Sequence, residues 1–199
     1  MQFFDKAIYW LSSGLLIPVL IAVIYFLVRA LMQLGGLYSV YINRIRYNKL
    51  LDEKMATLDK SNVAALSQLS PAAVAMLPVA ITKLVSHPDS QAHTSKVIAD
   101  FTNDCEKDLD KSRTLSKTGP ILGLMGTLIP MGPALAGLAA GDIATMSQQM
   151  QVAFNTTVMG LVIGTCGFLI LQLKQRWYQE DLNRIEFIND IIHTGYVKQ

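Results

Sequence analysis

Three long stretches of the chain carry no Asp, Glu, Lys or Arg. They cover residues 7–28, 118–141 and 143–173, with 22, 24 and 31 residues. A helix needs about 20 predominantly apolar residues to cross a bilayer, so the pattern predicts three membrane-spanning helices. The first is read over residues 7–31. It is not read as a cleaved signal peptide, because MQFFDK holds no basic cluster and the apolar run exceeds the usual signal length.

Outside these stretches the period changes. Val97, Ile98, Phe101, Cys105 and Leu109 recur at steps of three and four, with Asp100, Asp104, Glu106, Lys107 and Asp108 between them. That spacing marks an amphipathic helix. It begins near Ser90 and meets no breaker before Lys117, so it is expected to run straight into the second span. Leu173, Trp177, Leu182, Ile185, Ile188 and Ile192 extend the third span in the same way. The first span is expected to continue past Leu34, with Gly35–Gly36 as a candidate break, and Tyr38, Tyr41, Ile42 and Ile45 mark one face beyond it. Ser61 is a candidate N-cap. Ser70–Pro71 opens a further helix that contains Pro78 and ends before His87–Pro88. No strand pattern and no repeat of fixed period stand out. The expected fold class is an all-α membrane protein of three transmembrane helices, two of them extended into a cytoplasmic helical bundle.

Charge then orients the spans. Of 17 Lys and Arg, only Lys6 precedes the first span and none separates the second from the third. By the positive-inside tendency, residues 1–32 form the first transmembrane helix with its amino terminus outside, and 33–117 a cytoplasmic helical region. Residues 118–141 form the second transmembrane helix, 142–173 a short outer turn and the third, and 174–199 a cytoplasmic helical extension and tail. Charged residues make up only 16% of the chain, against about a quarter in soluble domains. Basic and acidic residues alternate along the cytoplasmic segments, which argues against nucleic-acid binding. Cys105 and Cys166 lie too far apart to bridge and are read as free, mostly buried thiols. Neither metal-ligand spacing nor a phosphate-binding glycine loop is present, and no cofactor, metal or enzymatic chemistry is expected.

The second span, GPILGLMGTLIPMGPALAGLAAG, is rich in residues that weaken helices. On a helical wheel Gly119, Gly123, Gly126/Thr127, Pro130, Ala134, Gly137 and Gly141 share one stripe. In the third span Ala153, Thr157, Gly160, Gly164 and Gly167 do the same. Small residues let membrane helices approach closely, here within one chain or around a ring of identical chains. Thr127 and Thr157 are placed on these faces as lining for a narrow polar passage. Thr156 is turned about 100° from Thr157. Gln148, Gln151 and Asn155 form a polar strip in the outer half of the third span, and each amide should face protein or water. None of the spans has an internal Asp, Glu, Lys, Arg or His, so any proton carrier within the membrane would have to come from a partner.

GLMGT at 123–127 and TVMGL at 157–161 resemble the MotA/TolQ/ExbB proton channel family, and the three-span layout resembles its ExbB/TolQ branch. The resemblance implies a ring-forming homo-oligomer, usually a pentamer, in the bacterial inner membrane. It implies single-span partner helices of the ExbD/TolR/MotB kind that supply an intramembrane Asp, and ion flow coupled to mechanical work on an envelope process. It maps the family's two threonines onto Thr127 and Thr157. The chain departs from the family at Pro130 and Pro133, which follow Thr127, and at QQMQVAFNTT, where an acidic residue is common. The prolines predict a bent outer half of the second span, with carbonyls freed toward pore or solvent. The alternative reading is a non-conducting membrane scaffold that docks partners through its cytoplasmic helices.

Overall fold

A computed structural model describes residues 14–55, 76–86 and 91–194, and these are helical apart from short turns. The helices are α1 (Leu16–Met55), α2 (Met76–Ser86), α3 (Gln91–Ala139) and α4 (Ile143–Thr194). Three of them, α1, α3 and α4, are long and apolar enough to cross a membrane. The expected start of the first span, Ser61 and Ser70–Pro71 lie outside the described residues. The long amphipathic runs do continue unbroken into the second and third spans, as their period predicts.

One local expectation changes. Helix α1 passes through Gly35 and Gly36 without a break, although each glycine costs a helix about 1 kcal/mol. Helix α2 is described from Met76 and contains Pro78.

The contacts divide the chain into two units, residues 1–36 with 111–171 and residues 37–110 with 172–199. In the second unit α2, α3 and α4 bury Leu77, Ile81, Leu84, Val97, Phe101, Cys105, Ile185, Ile188 and Ile192 in one core. Beside it, Arg44 of α1 clasps Asp181 of α4 with two guanidinium nitrogens at 2.7 and 2.6 Å. The second nitrogen also donates to the Trp177 carbonyl at 2.7 Å. The guanidinium lies 5.5 Å from the centre of the Trp177 ring, and Tyr41 stacks on that ring at 6.0 Å. Asp108 of α3 accepts from Lys174 at 2.6 Å and from the Tyr178 hydroxyl at 2.7 Å. Burial pushes the Asp181 carboxyl above the ordinary carboxylate range, and Arg44 pulls it back. Burial also pushes the Cys105 thiol up to about 12, helped by the charge of Asp181. Cys105 is therefore a protonated core residue, and thiols of that kind are inert.

In the first unit Val19, Val23 and Ala30 of α1 pack with Leu115 of α3 and Ile163 of α4. The Ser112 hydroxyl donates to the Gln33 amide oxygen at 3.2 Å. Helices α3 and α4 meet there through their small residues. A Cβ on Gly119 would sit 2.6 Å from the Gly164 nitrogen, and one on Gly160 would sit 2.6 Å from the Gly123 Cα. One on Gly164 would strike the Pro120 ring at 2.7 Å. The two stripes read from the sequence thus pack against each other inside one chain. They are joined by a short turn between Ala139 and Ile143. Gly141 has φ +75°, and the Asp142 and Gly141 amides donate back to Gly137 and Leu138 at 2.9 and 3.1 Å. This is a Schellman C-cap. Asp142 then caps α4 by accepting from the Thr145 amide at 3.0 Å.

Two outcomes follow from this packing. Arg44→Met removes the two hydrogen bonds to the buried Asp181 carboxylate and leaves it only Arg184 at 3.9 Å; it should cost about 3 kcal/mol, whereas adding Asp181→Leu should recover most of it. Thermal unfolding of the three proteins in the same detergent, followed by tryptophan fluorescence, reads both. Gly160→Ala drives a methyl into backbone on α3 and should cost about 1–3 kcal/mol. The exposed Leu161→Ala serves as the control, and equal loss in the two would contradict the close contact.

Candidate functional site

Two polar faces were singled out by the sequence in the spans, and the structure distributes them over three surroundings. Thr156 is buried at 2% exposure between α3 and α4. Its hydroxyl lies 2.9 Å from three carbonyl oxygens, those of Val152 and Ala153 in its own helix and of Gly126 in α3. A hydroxyl has one proton, so these carbonyls share it. Gly126 is glycine because a Cβ there would meet the Thr156 Cβ and Oγ1 at 2.6 Å.

Thr157 and Thr127 are half-buried. The Thr157 hydroxyl donates to the Ala153 carbonyl at 2.9 Å, and that of Thr127 to the Leu124 carbonyl at 2.7 Å. Both bonds lie within the residue's own helix, the usual resting place of a membrane threonine hydroxyl. The sequence reading put Thr157 on the small-residue stripe and turned Thr156 away. In the structure the packed stripe runs through Ala153, Thr156, Gly160, Gly164 and Gly167, all buried. Thr157 flanks it, with its backbone toward Gly123. The wheel misplaced the stripe by one residue because Ala153 is compatible with either neighbour at steps of three or four.

The carbonyl freed by Pro130 differs from expectation. Helix α3 continues through Pro120, Pro130 and Pro133. A proline at 130 has no N–H for the carbonyl of residue 126. That carbonyl does not face pore or solvent; it accepts from Thr156 across the helix contact. Pro130 is itself buried.

Gln148, Gln151 and Asn155 are exposed in the single chain, on the side of α4 away from α3. The apolar side chains around them, Phe154, Val158, Leu161 and Val162, are exposed too. Water-starved amides are costly in hydrocarbon, so this side is not built for lipid alone. The spans therefore hold a dry, self-satisfied contact between α3 and α4, exposed amides on α4, and two half-buried hydroxyls that flank the contact. Asp142, at the outer turn, has its carboxyl held below the ordinary range chiefly by the hydrogen bond from the Thr145 side chain. Among the described residues no group of three or more His, Cys, Asp or Glu gathers that could hold a metal ion.

Comparison with known proteins adds the family. A model of the MotA/TolQ/ExbB proton channel family matches residues 64–186. The chain is 28% identical over 91 residues to a "Putative biopolymer transport protein ExbB homolog" of Methanothermobacter thermautotrophicus. That match covers 45% of this chain and 33% of the relative, so the chain spans about a third of the length of that protein. No solved structure matches. With three apolar helices of spanning length, an amphipathic continuation of two of them and a family match over most of the chain, this membrane protein belongs to the MotA/TolQ/ExbB proton channel family.

Proposed function

We propose that the chain is the ring-forming subunit of an ion-motive-force transducer. Several copies, five by resemblance to the family, surround single-span helices of the ExbD/TolR/MotB kind. A carboxylate on those helices carries the proton, and its alternate charging and neutralisation drives partner against ring. The work is delivered to an envelope process through the partner's outer part. The amino terminus and the turn at 140–142 face outward, residues 33–117 and the tail face the cytoplasm, and the site of action is the bacterial inner membrane.

The observation that carries this reading is the open polar side of the spans. Gln148, Gln151 and Asn155 are exposed on a helix read as spanning the membrane, in a segment without Asp, Glu, Lys, Arg or His. Such amides call for a protein or water neighbour, and a second copy or a partner helix supplies one. Thr127 and Thr157 flank the α3–α4 contact with their side chains half-exposed, where hydroxyls can rotate from their own carbonyls to a carboxylate brought by the partner.

A second reading is a scaffold that conducts nothing. It is favoured by the Thr127 and Thr157 hydroxyls, which are already satisfied within their helices. Thr127→Val and Thr157→Val separate the two readings, since valine keeps the shape and removes the hydroxyl. For a transducer each should lower ion-dependent activity at least about tenfold, the worth of a hydrogen bond to a charged group, with membrane levels unchanged. For a scaffold neither changes it. A photoreactive residue at position 151 tests the open side directly. Illumination in native membranes should attach it to polypeptide, and adducts with lipid alone would contradict the assembly.

A further inference from the structure

We infer that Thr156 is a positioning residue for Thr127, acting through a carbonyl that Pro130 sets free. The inference rests on the reading of Thr127 as an ion-pathway hydroxyl. Helix α3 lacks one backbone donor at Pro130, so the carbonyl of Gly126, four residues earlier, has no partner in its own helix. A buried carbonyl without a donor is expensive, and more so in lipid. Thr156 supplies the donor at 2.9 Å from the neighbouring helix. The absence of a side chain at Gly126 admits the hydroxyl, since any Cβ there would overlap it. Three residues from two helices, Gly126, Pro130 and Thr156, therefore form one clasp.

The clasp has a particular position. Gly126 is bonded directly to Thr127, and the peptide plane that Thr156 holds is the one between them. The orientation of that plane sets where the Thr127 side chain points. The outer half of α3, beyond the proline, hangs on the same plane. Without the clasp, a helix already missing one rung loses its only described tie at that rung. The Thr156 proton also has two resting places in its own helix, the Val152 and Ala153 carbonyls at the same 2.9 Å. The hydroxyl can release Gly126 without itself being left unbonded, but the Gly126 carbonyl then loses its donor, so the cost of opening falls on α3.

A double-mutant cycle separates this clasp from simple packing. Pro130→Ala restores the missing N–H, and the Gly126 carbonyl then closes its own helical bond. Thr156→Val removes the donor while keeping the volume, and Thr156→Ser keeps the donor. Amide exchange over residues 131–139 is measured on the full chain in lipid nanodiscs. Thr156→Val should raise exchange about tenfold, the effect of orphaning a buried carbonyl. Thr156→Ser should stay near wild type. Thr156→Val should have no further effect once Pro130 is alanine. An equal rise in both backgrounds, or none in the proline background, overturns the clasp.

Ion-dependent activity in cells at matched membrane levels is the second readout. Activity should fall with Thr156→Val and return when Pro130→Ala is added, a rescue that a packing defect would not show. Coupling in exchange without that fall and rescue overturns the positioning role. If Thr127→Val leaves activity unchanged while the exchange cycle holds, the ion-pathway reading fails and the clasp survives as structure alone.

Discussion

Everything in the membrane part of this protein depends on how closely α3 and α4 can approach. The constraint is steric. At Gly119, Gly160 and Gly164 the two helices lie so near that a methyl group on one would overlap main-chain or proline atoms on the other, and at Gly123 it would be tightly squeezed. In water such glycines would be poor helix residues. In lipid the helix has no competing solvent for its backbone bonds, and contact between surfaces replaces the hydrophobic effect as the source of association. The same approach brings the Thr156 hydroxyl within reach of the Gly126 carbonyl, so it also makes room for Pro130. A proline that would cost a soluble helix about 3 kcal/mol is accommodated because the neighbouring helix provides the lost donor.

That contact also divides labour among the polar residues. Whatever packs against the partner helix is no longer available for ions. Thr156 belongs to the packed side, and Gln148, Gln151 and Asn155 to the open one. Thr127 and Thr157 are half-buried and flank the packed side. A span in which every polar group was buried inside one chain would be complete as a monomer. Here α4 ends its packing obligations on one side and keeps amides on the other, which is the physical basis for reading the chain as one member of an assembly.

The second unit follows different rules. Its core is aliphatic and aromatic, drawn from α2, α3 and α4. Its ionic contacts are partly desolvated and made through several hydrogen bonds, as the fork of Arg44 on Asp181 shows. Buried pairs of this kind are costly to break and add little net stability. Their value lies in specifying which residue of one helix faces which of another, and the Trp177 carbonyl and ring fix the same arginine from two further directions.

The sequence by itself determined what depends on local pattern. Charge-free length announced three spans, and the three-and-four spacing of Val97, Phe101, Cys105, Ile185 and Ile188 announced a helical core that the structure buries as expected. The glycine stripes announced close packing. Only the tertiary structure decided which partner each stripe meets, and whether Thr156 or Thr157 lies in the contact. A wheel gives angles about one helix axis, and neighbouring residues differ by about 100°, while the seam's centre is set by the second helix. The fate of the Pro130-freed carbonyl was undetermined for the same reason, as was the pairing of Arg44 with Asp181, 137 residues apart. Periodicity is a property of one segment, whereas a hydrogen bond across a contact belongs to two.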